Sequence, residues 1–138
     1  MKFPGHILPK KKGEKFYSVE IPLLGIHTQG KTYKDCLAMA KDALESLLNI
    51  DVEVEPWGNA KDTFVVSSNQ LKPLIARFLA TRRAAAGFTM AEVAKRLGGS
   101  WVNNYAQYEK GKSLPGIEQL QKLIAAIPSK EVDKILVG

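Results

Sequence analysis

Hydrophobic and polar positions alternate along the first part of the chain in short runs that are typical of strands. Three such runs cover residues 3–8, 15–21 and 26–30. From Thr32 onward the apolar positions recur at helical spacing instead. They form one stripe along a predicted amphipathic helix, namely Tyr33, Cys36, Leu37, Ala40, Leu44, Leu47 and Leu48.

After this helix, residues 51–55 alternate acids with valine, and Pro56 and Gly58 then break the chain. The apolar run 63–66 is predicted as the last strand. The first domain is therefore predicted to have the order β-β-β-α-β, with its helix packed on the sheet.

Residues 89–112 show the pattern of a helix, a glycine turn and a second helix. Thr89 and Glu92 have the spacing of a capping box, in which each side chain satisfies a free amide at the helix start. Val93 and Leu97 then lie on one face. The pair Gly98–Gly99 ends the helix, and a second helix must begin at once. This arrangement is typical of a helix-turn-helix.

The second helix carries an apolar stripe and a polar stripe. Trp101, Tyr105 and Tyr108 follow helical spacing and are predicted to face the core. The polar stripe consists of Ser100, Asn103, Asn104 and Gln107. Asn and Gln amides bond in pairs to adenine in the major groove, so this stripe predicts DNA recognition. The alternative is a small helical bundle whose polar face meets only water.

Lys110 and Lys112 follow the second helix directly and are placed to meet DNA phosphates. The predicted DNA-contacting set is Thr89, Ser100, Asn103, Asn104, Gln107, Lys110 and Lys112.

Charge is divided unequally between the two halves. Up to about residue 70 the chain has nine lysines and nine acids, whereas the remainder has eleven Lys and Arg against five acids, so the whole excess of +6 lies in the second half. A basic domain attracts DNA through the release of counterions, which produces binding that weakens steeply with salt. The charge coincides with the helix-turn-helix pattern and strengthens the DNA prediction.

A length of 138 residues with 45% hydrophobic content fits two small domains better than one. We predict an α+β chain, with a β-β-β-α-β domain over residues 1–68 and an all-α helix-turn-helix domain over residues 69–138. No apolar run is long enough to span a bilayer and no signal peptide is recognisable, so we expect a cytoplasmic protein. The lone Cys36 and the separated His6 and His27 predict neither a metal site nor a cofactor.

Two further helices are predicted near the C-terminus, over residues 117–127 and 129–137, with Pro128 between them. Paired half-sites on DNA favour a dimer. The Leu and Ile stripes of these helices either form that dimer interface or close the bundle, and the pattern does not distinguish the two roles.

Two stretches of the chain resemble known families. Residues 16–32 and the alanine-rich segment 38–44 resemble the amino-terminal domain of HicB antitoxins, although Ile26 stands where that family usually has cysteine. The blocks 94–98 and 108–111 are similar to Cro-like helix-turn-helix domains, with one residue more than usual between them.

The HicB resemblance implies an antitoxin of a type II toxin-antitoxin pair. Its first domain, a partial RNase-H-like fold, would mask a small basic HicA-type mRNA-cleaving toxin, and its second domain would repress the operon at its operator DNA. The acids available for the toxin contact, none of which is assigned individually, are Glu20, Asp35, Asp42, Glu45, Asp51, Glu53 and Glu55. The alternative is a stand-alone dimeric repressor whose first domain senses a ligand or dimerises.

An enzymatic role is not expected. Two-metal nucleases need carboxylates that converge from central strands, and the segments 2–8 and 64–66 contain none. No serine lies in a Gly-x-Ser-x-Gly elbow either.

Overall fold

The computed structural model describes residues 1–99 and 101–129, and these divide into two units, 1–70 and 71–129. The predicted domain boundary after residue 68 lies close to the division between Gln70 and Leu71. The predicted helix over residues 129–137 lies outside the described residues, except for Ser129.

The first unit is an antiparallel sheet with one long helix. Its strands are β1 (Phe3–Leu8), β2 (Tyr17–Ile21), β3 (Ile26–Gly30), β4 (Glu53–Pro56) and β5 (Thr63–Ser67), in the spatial order β3-β2-β1-β5-β4. A short 3-10 helix, Pro22–Leu24, links β2 to β3, and α1 (Tyr33–Leu48) links β3 to β4. The register pairs Ile7 with Val19, and Phe3 with Val66.

The predicted strand order was wrong at one place, because residues 53–56 form β4 and the order is β-β-β-α-β-β. β4 lies at the edge of the sheet as far as the described residues extend, and it pairs with β5, with Val54 opposite Val66 and the exposed Glu53 opposite Ser67. An edge strand needs only one half-buried face, so a four-residue run ended by Pro56 suffices. The alternation of acids with valine was the signal for it.

The core of this unit lies between the sheet and α1. Phe3, Val19 and Phe64 are fully buried, and so are Cys36, Ala40 and Leu44 on α1. α1 approaches the end of β3 so closely that a Cβ on Gly30 would lie 2.7 Å from Cys36 N. Only glycine fits at this contact without a shift of backbone.

The second unit consists of helices α2 (Leu71–Ala86), α3 (Met90–Leu97), α4 (Trp101–Glu109) and α5 (Ile117–Ala126). Its core is formed by fully or nearly fully buried side chains from all four helices, among them Leu74, Phe78, Leu79, Val93, Tyr105 and Leu123.

Candidate nucleic-acid interface

α3 begins with the capping box that its sequence predicted. Thr89 is the N-cap residue, and its Oγ1 accepts a hydrogen bond from Glu92 N at 3.1 Å. Glu92 Oε1 in turn accepts from Thr89 N at 3.1 Å. Two amides that lack partners within the helix are thereby satisfied, which fixes the start of α3.

The turn between α3 and α4 depends on two glycines. Gly98 and Gly99 have φ angles of +77° and +59°, a region that residues with a Cβ rarely adopt. Val93 and Ala94 of α3 are buried, and α3 and α4 pack against each other. The geometry is that of two helices joined by a tight turn, as the glycine pair predicted.

α4 has a buried face and a neighbouring exposed face. Tyr105 is fully buried and Tyr108 is 6% exposed, and the Trp101 ring centroid lies 6.4 Å from that of Tyr108. Asn104 is exposed and Gln107 is half-buried. These two amides are three residues apart and so share one face of the helix.

The turn after α4 presents two lysines. Lys110 and Lys112 are exposed on either side of Gly111, and their backbone amides donate to Ala106 O at 3.0 Å and Gln107 O at 2.9 Å. Among the described residues, neither lysine forms an ion pair. The backbone therefore holds the turn, and both ammonium groups remain available to a ligand.

Arg83 of α2 binds the last residue of α4, Glu109. Its Nε and Nη2 donate to the Glu109 carboxylate at 2.6–2.9 Å, and its Nη1 donates to Phe88 O at 2.8 Å. The Glu109 side chain is only 4% exposed, and its hydrogen bond raises the pKa of Arg83. Burial, with a contribution from Glu109, raises the pKa of the nearby Tyr105 phenol. Glu109 is thus neutralised within the unit.

Two other arginines hold α5. Arg82 Nε donates to Ile127 O at 2.6 Å and its Nη2 to Ile124 O at 2.8 Å, while Arg96 Nε donates to Ala126 O at 2.8 Å. The last carbonyls of a helix lack partners within it, so these bonds close the end of α5. Part of the positive charge of the second half therefore belongs to arginines that stabilise the unit.

The predicted DNA-contacting residues occupy different positions. Asn104, Gln107, Lys110 and Lys112 lie together on α4 and the turn after it, whereas Thr89 serves as the cap of α3. Ser100 and the side chain of Asn103 lie outside the described part of the chain.

No element was predicted for residues 71–86, where α2 lies. The spacing Leu71, Leu74, Ile75, Phe78 and Leu79 was the available signal, because it places apolar residues on one helical face. The contact between Arg83 and Glu109 had no such signal, since it joins residues 26 positions apart.

The seven acids predicted to be available for a toxin contact fall into two groups. In the first group, Glu20 Oε2 lies 3.4 Å from His6 Nε2, and Glu20 Oε1 lies 3.6 Å from His27 Nδ1. Glu55 Oε1 lies 3.4 Å from Lys2 Nζ. Glu45 Oε2 accepts a hydrogen bond from Lys41 Nζ at 2.9 Å, and this bond lowers the pKa of Glu45. In the second group the carboxylates are exposed and form no ion pair with any described residue, and its members are Asp35, Asp42, Asp51 and Glu53.

Within the described ranges, no helix is long and apolar enough to cross a membrane. No group of three or more His, Cys, Asp or Glu in those ranges is arranged to hold a metal ion.

Comparison with known families identifies the second unit. The helix-turn-helix family model HTH_3 matches residues 79–134, a stretch that begins within α2 and contains α3, α4 and α5. No curated protein matches the chain. The chain therefore carries a DNA-binding helix-turn-helix domain of the Cro type, and its class is that of DNA-binding transcription regulators.

Proposed function

We propose that this protein is a repressor that binds operator DNA with α4 in the major groove. In this arrangement Asn104 and Gln107 contact base edges, together with Asn103 and Ser100, and Lys110 and Lys112 contact phosphates. The observation that carries the proposal is the joint placement of Asn104 and Gln107 on α4 and, directly after it, of two lysines that form no ion pair with any described residue.

The repressor acts as a dimer or higher homo-oligomer in this proposal. A single helix-turn-helix reads few base pairs, whereas two copies on half-sites one helical turn apart multiply specificity. Exposed Ile117 and Leu114 in the second unit supply apolar surface for such contacts.

We further propose that residues 1–70 bind a small basic toxin of the HicA type, which makes the protein the antitoxin of a type II pair. The support is the resemblance of residues 16–32 and 38–44 to HicB antitoxins, together with exposed acids that form no ion pair with any described residue, namely Asp35, Asp42, Asp51 and Glu53. Complementary charge speeds association and selects partners. The proposal assigns the chain no catalytic step.

A second candidate is a ligand-sensing repressor. It is favoured by a cavity of about 590 Å³ in the first unit, lined by charged and polar residues that include Lys2, Lys41, Asp51 and Gln70. That volume is in the range of small-molecule sites. A sensor would release DNA when its ligand binds, whereas an antitoxin would form a stable complex with a neighbouring gene product.

DNA recognition is tested with the variant in which Asn103, Asn104 and Gln107 are changed to Ala. Binding is measured on DNA taken from immediately upstream of the gene and on a scrambled duplex of equal length. We expect the variant to lose its preference for the upstream DNA, because each bidentate amide contact contributes about 1–3 kcal/mol of discrimination. Gln121→Ala, an exposed amide on α5, is the control. Unchanged preference in the triple variant would refute the assignment of α4.

The toxin proposal is tested by co-expression of the full chain with the product of each flanking gene. We expect one small basic product to arrest growth alone, and to co-purify with this chain when growth is restored. Changing Asp42, Asp51 and Glu53 to their amides should weaken that complex, while the matched change Glu118→Gln in the second unit should not. Absence of any partner would favour the ligand-sensing repressor.

A further inference from the structure

Lys72 lies in the first turn of α2, far from the helix-turn-helix in sequence but close to it in space. A Cβ built on Gly111 would lie 3.7 Å from Lys72 O and 3.7 Å from Ala76 Cβ. The turn that carries Lys110 and Lys112 therefore rests directly on the first turns of α2.

The Lys72 side chain shares a helical face with this contact. Ala76 follows Lys72 by four residues, so the two side chains lie on the same face of α2, with that of Lys72 one turn nearer the N-terminus. Ala76 is 9% exposed, whereas Lys72 is exposed. The Lys72 side chain is thus on the face of α2 that the turn with Lys110 and Lys112 contacts.

No acid within the described residues neutralises this group of lysines. None of the three forms an ion pair there, and the first turn of α2 contains no acidic residue. Glu109, the acid next to Lys110 in sequence, is held by Arg83. Three positive charges that have no ion-pair partner among the described residues therefore come from one helix, α2, and the turn after α4.

We propose that Lys72 is a third phosphate-binding residue, which clamps the DNA backbone together with Lys110 and Lys112. This inference rests on the proposed binding of DNA through α4 and extends that site to α2. Lys72 contributes affinity and no base preference, because a phosphate contact has the same chemistry at every sequence.

The position of Lys72 in its helix supports a role in binding rather than in stability. A cation in the first turn of a helix faces the positive end of the helix dipole, which is mildly unfavourable. Lys72→Gln removes that repulsion, so we expect the variant to fold at least as well as the wild type. Loss of DNA binding in this variant is then a direct effect on the interface.

The test compares Lys72→Gln with Lys34→Gln in the full chain. Lys34 is equally the second residue of a 16-residue helix, is exposed, and lies in the first unit. The equilibrium constant for binding is measured against KCl concentration, both on DNA from upstream of the gene and on a scrambled duplex. Each lost phosphate contact lowers the slope of log K against log salt concentration by about 0.9 on duplex DNA.

We expect Lys72→Gln to lower the slope by about one contact on both duplexes and to leave their affinity ratio unchanged. Lys34→Gln should leave the slope at the wild-type value. The assignment of Lys72 would be overturned if Lys72→Gln had the same slope as the wild type, or if Lys72→Gln and Lys34→Gln changed the slope equally. Either result would leave the proposed DNA binding through α4 in place. A wild-type protein that binds neither duplex would overturn the proposed function and this inference together.

Discussion

The two units of this chain use their charged residues in different ways. In residues 1–70 the ion pairs lie at the surface, as between Lys2 and Glu55, and the interior is an apolar contact between sheet and helix. In residues 71–129 arginine side chains reach the ends of helices, and the carboxylate of Glu109 is almost fully buried.

This difference shows that net charge and available charge are separate quantities. The second half carries the whole positive excess, yet Arg82, Arg83 and Arg96 donate to carbonyls or to Glu109 within their own unit. The planar guanidinium matches such fixed acceptors, whereas the compact ammonium of lysine stays solvated on a flexible stem. Lysines, more than arginines, therefore carry the charge that is available for the proposed phosphate contacts.

The largest effect is expected from Arg83→Met. This change leaves Glu109 as a buried charge without a partner, which typically costs about 3–5 kcal/mol. The free energy of unfolding, measured by urea denaturation followed by circular dichroism, should fall by that amount. The exposed Lys122→Met is the control. The double variant Arg83→Met with Glu109→Leu should recover most of the loss, and a single variant as stable as the control would show that the ion pair does not hold α4.

A smaller loss is expected from Gly30→Ala in the first unit. The added methyl would meet Cys36 N at 2.7 Å, and backbone cannot move aside as a flexible side chain can. Overpacking of this kind costs about 1–3 kcal/mol, which the same denaturation experiment would measure. Ser46→Ala, a change at an exposed position of α1, is the control. Equal effects of the two changes would contradict close packing of α1 on β3.

The smallest expected effect compares two threonine caps. Thr32 and Thr89 each accept a hydrogen bond from the amide three residues later, at 3.1 Å. At Thr89 there is also the reciprocal bond, in which Thr89 N donates to Glu92 Oε1. Replacing either threonine by Ala should lower the free energy of unfolding by about 1 kcal/mol. Thr89→Ala should cost more than Thr32→Ala in thermal unfolding, because Glu92 is better placed when the cap is intact. A larger loss of stability in Thr32→Ala than in Thr89→Ala would contradict a stabilising role of the capping box.

Local patterns predicted the elements whose signals are short in sequence. The capping box at Thr89, the turn at Gly98–Gly99 and the buried face with Tyr105 and Tyr108 are all confirmed, because caps, left-handed turns and helical periodicity depend on neighbours within a few residues. β4 was missed because its four residues are stabilised by pairing with β5 and not by their own propensity.

The sequence by itself determined where α3 begins, where the chain turns after it, and which half of the chain carries positive charge. Only the tertiary structure decided which of those charges are free. Hydrogen bonds from Arg82 to Ile127, and from Arg83 to Glu109, join residues far apart in the chain, as does the approach of Gly111 to Lys72. Such contacts depend on how helices pack, and no local spacing of residues encodes them.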